Sequence, residues 1–376
     1  MIKSILLFSL LLNSKSFFSL GRIKDKDTGS SIELPIYKKE KRAAISQTSW
    51  NVLTHNYHND TDYYENFNPN GYSLRNGHSG RWINANSEDI DCSLHYYGQN
   101  DDGEEMLHTN GFNPQYHNVE SNDSLSGEQR AIQQITDPKV FPYKFTGFIQ
   151  CEYDHPGFEE GKTYAGGTAF IVGYNVIVTS AHITYSYVPT LINGSYTYDY
   201  RFPDRIYFFA GLNGDNDYNN CLQTMAWEVS VPKDYIDNPY ESSNSFSNND
   251  WSAIMTDDDI GASGYYPIMS NWYSYYSNVY TYGYTDFDIN DYKMYYSSGK
   301  LKSKTDYIYK TSVSSSVGNS GGALFKDVEM ASGLLVSYVI GIVSGKDSFG
   351  NTIVTRLNTF NVSFLNSFMT SYWPTC

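Results

Sequence analysis

Long apolar runs are missing from this sequence. Beyond residue 20 no stretch approaches the roughly 20 consecutive apolar residues that a membrane helix needs, so no stable membrane association is expected. Cations are scarce too: 26 Lys and Arg face 41 Asp and Glu, for a formal net charge of -15. Nucleic-acid affinity depends on clustered Lys and Arg that displace counterions from phosphates, so nucleic acid is not an expected partner. Cysteine is sparse, and the spacing of Cys92, Cys151, Cys221 and Cys376 follows no metal-site pattern. No cofactor is expected, and this spacing offers no metal ligand set. No internal repeat of fixed period is present.

What is abundant is the aromatic ring. With 36 Tyr, 20 Phe and 40% hydrophobic residues, the composition permits a buried core and favours strands over helices. Lys3 precedes an apolar run over 5–12, the pattern of a secretory signal, so residues 1–20 are read as a signal and the product as secreted. In an oxidising compartment a bridge is permitted, and Cys151 with Cys221 is the pairing expected once Cys92 falls in a removed segment. That segment is 21–130. It is rich in Asn, Asp, Ser, Gly and His, has few apolar runs able to build sheets, and reads as a polar prosegment. Lys38, Lys39, Lys41 and Arg42 form one candidate processing site and Arg130 another.

From 131 to 376 the texture changes to short β-type runs punctuated by Gly, Asn, Asp and Pro. They fall at 145–150, 167–179, 205–210, 226–231, 251–255, 278–284, 293–296, 308–313, 322–325, 337–343 and 352–357. Such spacing suits an all-β barrel or sandwich. Near the end, Val362, Leu365, Phe368 and Met369 fall on one face of a short closing helix over 361–372.

Three short stretches in this region carry chemistry. Val317-Gly318-Asn319-Ser320-Gly321-Gly322 places a serine among glycines just before an apolar strand. Glycine allows backbone conformations that other residues resist, so the amides of Gly318 and Ser320 can turn toward one point as an oxyanion hole. Ile177-Val178-Thr179-Ser180-Ala181-His182 ends a strand in small residues and a histidine, whose imidazole can accept a proton near neutral pH. Six of the other histidines lie in the prosegment, and His155 lies in a polar turn. Asn249-Asp250-Trp251-Ser252-Ala253-Ile254 opens an apolar strand with a carboxylate that can fix the imidazole tautomer. Asp257, Asp258 and Asp259 are rivals, but they form a solvated charge run after that strand. The order His182, Asp250, Ser320 is the one used by chymotrypsin-type enzymes rather than by subtilisins or α/β-hydrolases.

Over residues 129–365 the sequence resembles the chymotrypsin-like serine proteases, and most their secreted bacterial glutamyl endopeptidase branch. The resemblance rests on Gly167-Thr168-Ala169-Phe170, Thr179-Ser180-Ala181-His182, Asp250-Trp251-Ser252-Ala253-Ile254, Tyr282-Gly283-Tyr284, Ser297-Ser298-Gly299-Lys300, Gly318-Asn319-Ser320-Gly321-Gly322 and Val339-Ile340-Gly341-Ile342-Val343. It implies two six-stranded antiparallel β-barrels with a C-terminal helix, acting as a monomer on protein or peptide substrates. It also implies catalytic roles for His182, Asp250 and Ser320. Ser314 and Ser315 are expected to line the primary specificity pocket, with Val343, Ser344 and Gly345 opposite. Several positions depart from the pattern. Ala165 and Ile183 stand where animal chymotrypsins place a bridged cysteine pair, and Asn319 replaces the aspartate that pairs with a new amino terminus. Val343 stands where glutamyl endopeptidases place a histidine expected to bind the substrate carboxylate. Two readings compete with an active endopeptidase: a catalytically silent homologue serving as a binding module, and a secreted Tyr-rich structural or carbohydrate-binding protein.

Overall fold

The computed structural model describes residues 50–67, 73–76, 81–84, 95–100, 102–109, 132–154, 161–192, 195–214, 217–237, 239, 249–285, 292–329 and 335–370. The expected signal, both basic processing sites, Cys92 and Cys376 lie outside them. Before residue 110 come β1 (Trp50–Asn56), β2 (Thr61–Phe67), β3 (Ser73–Asn76), β4 (Arg81–Asn84), β5 (His95–Gln99) and β6 (Glu105–His108), and β7 (Ile132–Gln134) follows.

The first barrel begins with β8 (Thr146–Asp154), β9 (Lys162–Ile171) and β10 (Val176–Thr179). Short helix α1 (Ala181–Thr184) leads to a hairpin of β11 (Ser186–Ile192) and β12 (Ser195–Arg201). After β13 (Arg205–Ala210) and β14 (Leu222–Pro232), helix α2 (Lys233–Asp237) precedes β15 (Ser252–Thr256). The strand order β13-β8-β9-β10-β15-β14 closes because β13 also pairs with β14. The strands at its centre are buried on both faces: every residue of β10 and of β15 is inaccessible, which suits their run of Val, Ile, Ala and Met.

The second barrel uses β16 (Asn278–Tyr284), β17 (Met294–Lys304), β18 (Ile308–Thr311), β19 (Ala323–Glu329), β20 (Leu335–Lys346) and β21 (Thr352–Arg356). The order β16-β19-β20-β21-β18-β17 closes through a β16–β17 pairing, with β7 added beyond β17. Helix α3 (Thr359–Thr370) ends the described chain and packs Phe364 against Trp251, ring centroids 5.4 Å apart. Two closed six-stranded antiparallel barrels with a C-terminal helix form the chymotrypsin-like architecture that the resemblance implies.

Two expectations need correction. The stretch before residue 110 contains strands after all, and β1 extends the first barrel's sheet by pairing with β14 from Val52↔Pro232 to Asn56↔Glu228. Apart from Trp50, only Val52 and Leu53 of β1 are strongly apolar, so its strand character comes from a distant partner rather than from its own pattern. The Cys151–Cys221 bridge is also not formed, since both cysteines are free. Cys151 is buried within the first core, where burial pushes its thiol well above the ordinary range. Cys221 sits in the turn before β14 and points its sulfur at the Tyr218 carbonyl, 3.6 Å away.

Candidate active site

His182 lies on α1, immediately after the fully buried β10, which anchors it at the barrel's end. Asp250 lies just before β15, the neighbour of β10 in the sheet, and the register Thr179↔Ser252 brings the two residues together. The contact is double: the His182 backbone N–H donates to Asp250 Oδ1 at 2.9 Å, and His182 Nδ1 lies 2.8 Å from Oδ2. With Asp250 ionised, Nδ1 carries the proton, which leaves Nε2 with its lone pair. The imidazole keeps 19% of its side-chain surface exposed while the carboxylate keeps 4%.

Burial alone would raise the Asp250 carboxyl. Electrostatic attraction to the His182 ring, the side-chain bonds from His182 and Ser344, and the His182 backbone N–H outweigh it and hold the group below the ordinary carboxylate range. Ser344 Oγ donates to Oδ2, and Thr355 Oγ1 donates to the Asp250 carbonyl at 3.1 Å. Both donors come from strands of the second barrel, so Asp250 is held from both sides of the junction between barrels.

Ser320 projects from the loop between β18 and β19. Gly318 and Gly321 adopt φ of +90° and +83°, which side chains with a Cβ resist. Space is as restrictive as conformation at Gly321, where a Cβ would lie 2.1 Å from both the Thr168 carbonyl and Thr179 Oγ1. The loop is pinned from the first barrel by Thr168 of β9: its N–H donates to the Ser320 carbonyl at 2.8 Å and its Oγ1 to the Gly318 carbonyl at 2.8 Å. The Asn319 carbonyl accepts from Gly322 N–H at 2.9 Å. In a trans peptide the N–H points opposite to the C=O, so Ser320 N–H faces away from that turn. Among the described residues the amides of Gly318 and Ser320 have no acceptor. The Ser320 hydroxyl points to the Ser344 carbonyl at 3.5 Å.

The residues expected to shape the pocket are distributed as follows. Ser314 is half-buried, and its N–H donates to Ser297 Oγ at 3.0 Å. Ser315 is buried, with its Oγ 2.8 Å from Thr352 Oγ1. Val343 is 1% exposed within the second core, and its carbonyl accepts from Gly321 N–H and Ser180 Oγ. Ser344 turns its hydroxyl to Asp250, and Gly345 is half-buried. Sequence reasoning missed Thr168, Thr355 and Thr352 because each is a hydroxyl inside a β-run, where threonine is common for packing reasons alone. Asp257, the first of the rival acidic residues, pairs with His58 at 3.0 Å instead.

No family model matches the chain, and no curated protein matches its sequence. Among solved structures it is similar to a Glu endopeptidase in complex with MPD, at 18% identity and TM-score 0.48, over 64% of this chain and 97% of that one. It is also similar to protease Anisep from Arthrobacter nicotinovorans, at 16% identity and TM-score 0.41, over 62% and 99% of the two chains. A thermostable serine protease, AL20, from an extremophilic microorganism matches at 13% identity and TM-score 0.42, over 60% and 97%.

Proposed function

We propose that this chain is a secreted serine endopeptidase that cuts peptide bonds through an acyl-enzyme. In this reading the Ser320 hydroxyl turns from the Ser344 carbonyl to His182 Nε2, which takes its proton as Oγ attacks the substrate carbonyl carbon. The oxyanion that forms is received by the amides of Gly318 and Ser320. His182 then gives the proton to the departing amine, and a water molecule, activated by the same imidazole, hydrolyses the ester. Asp250 holds the imidazole in the productive tautomer and stabilises it when charged. Residues 1–20 serve as the signal, and the chain beginning between 121 and 132 is the catalytic unit of an enzyme made as a zymogen.

One observation carries the reading: a buried carboxylate bonded twice to His182 lies across the junction from a serine loop with two unengaged amides. A binding module has no use for that combination. The test is a pair of substitutions. Ser320→Ala and His182→Ala should each remove nearly all peptidase activity, and the double variant should be little worse than either, because nucleophile and base act as one unit. Losses that add, or turnover at wild-type level in Ser320→Ala, would refute the assignment.

A further inference from the structure

We propose that residues 50–57 and 102–109 are permanent structural partners of the two barrels, staying docked in the active enzyme even when the chain between 110 and 131 is cut. The proposed function is needed only for the supposition that a cut occurs there naturally.

The docking surface has two anchors. On the first barrel, β13 pairs with β14 only at Leu222–Met225, and β1 takes the same edge from Glu228 to Pro232. Val52 and Leu53 enter the first core, and Thr54 Oγ1 meets Ser230 Oγ at 2.9 Å with both residues buried. Tyr57 N–H continues the pairing by donating to the Trp227 carbonyl at 2.8 Å. Loss of this strand would bare a row of backbone donors and acceptors beside an open hydrophobic core.

On the second barrel, Met106 enters the core. Ser270 N–H donates to the Leu107 carbonyl at 2.7 Å, Leu107 N–H to Ser270 Oγ at 2.8 Å, and Thr109 N–H to the Ile268 carbonyl at 3.0 Å. Next to these bonds lies the more demanding contact. Arg356 is a guanidinium with 1% of its side chain exposed, and among the described residues its only carboxylate partner is Glu104. The Thr305 carbonyl at 3.2 Å, Asn271 Oδ1 at 3.1 Å and the Tyr309 ring, whose centroid lies 5.7 Å from the guanidinium carbon, also surround it, but none of them brings a charge. Arginine cannot shed its proton, so departure of Glu104 would strand a buried cation. Glu104 also pairs with Lys304 at 2.8 Å, and Lys304 reaches Asp102 at 2.6 Å. Burial works to raise the Glu104 carboxyl, yet hydrogen bonds from Arg356, Lys304 and Asn100 hold it at about 2. A segment meant to leave would not supply the counter-ion of a buried arginine in the unit it leaves behind.

The experiment places the recognition sequence of a site-specific protease between 121 and 130 of the full chain. The chain is cut, cysteines are reduced, and the product is passed over a sizing column before denaturing analysis. The fragment carrying 50–109 should co-elute with the catalytic fragment in equal amounts. Glu104→Gln should weaken its retention on dilution by about 100-fold or more, as expected for breaking a buried ion pair. Elution of the fragment apart from a folded catalytic chain overturns the proposal, as does a Glu104→Gln fragment held as tightly as wild type. Terminal sequencing of naturally secreted active enzyme separates the two readings. An uncut active chain contradicts the maturation site while keeping the segment in place, and an inactive but co-eluting pair contradicts the catalytic assignment alone.

Discussion

Asp250 gathers three donors on one carboxylate: the His182 backbone N–H, His182 Nδ1 and Ser344 Oγ. Each has a distinct job. The backbone bond fixes where the carboxylate sits, the imidazole bond fixes the tautomer, and the serine keeps the second lone pair of Oδ2 from competing for another proton. Asp250→Asn should preserve the fold and lower turnover by about 10⁴-fold near neutral pH, the loss found for this substitution in the type enzyme of such triads, because the amide favours the wrong tautomer. Ser344→Ala removes one donor of three. It should lower kcat by about 10-fold with KM unchanged, within the range of a hydrogen bond to a charged group, and Ser344→Thr should restore most of it. A Ser344→Ala enzyme in which only KM changes would mean that the residue touches substrate and does not position Asp250. The meeting of His182 with Asp250 could be anticipated from the sequence, since His182 closes one apolar run and Asp250 opens another. Thr168 could not, because its two bonds to the Ser320 loop depend on how the barrels face each other.

At the level of strands, β13 and β16 coincide with apolar runs read at 205–210 and 278–284, and α3 overlaps the helix read at 361–372. The run at 167–179 is divided into β9 and β10 by a turn, as Gly173 and Asn175 allow. The hairpin β11–β12 escaped because β12 alternates tyrosines with polar residues and, among the described residues, the two strands pair only with each other, as in Tyr187↔Tyr200. In the proposed enzyme the end of β20 and the start of β21 are the expected walls of the specificity pocket. Thr352 Oγ1 donates to the Val313 carbonyl at 2.6 Å, so the 2.8 Å contact with Ser315 must use the Ser315 proton. A hydroxyl has one proton, and Ser315 has none left for a substrate carboxylate. Val343 donates nothing from its side chain. A buried Glu side chain would therefore go largely unpaired, at a cost of several kcal/mol. Cleavage-site profiling on a denatured protein mixture should show cuts after apolar or mid-sized residues. Dominant cutting after Glu would contradict this, and its disappearance in Lys346→Ala would trace it to that ammonium.

Across the whole molecule, catalysis is assigned to a seam. His182 and Asp250 come from the first barrel and Ser320 from the second, while Ser344 and Thr168 each reach across to hold a residue on the other side. In the proposed enzyme a slip between barrels would misplace base, nucleophile and hole together, so the packing of the barrels on each other would be part of the active site. Ahead of residue 110, β1 bears on the first barrel and residues 104–109 on the second. The low apolar content of this stretch hid this in the sequence, because Val52, Leu53, Met106 and one carboxylate suffice when the partner surface is already built. The central claim is that Ser320 is a nucleophile activated by His182, and covalent labelling tests it most directly. Purified, matured protein should react stoichiometrically with a fluorophosphonate probe, with the adduct on Ser320, and the label should vanish in Ser320→Ala. Absence of labelling in folded, matured protein, or labelling that survives in Ser320→Ala, would contradict the account.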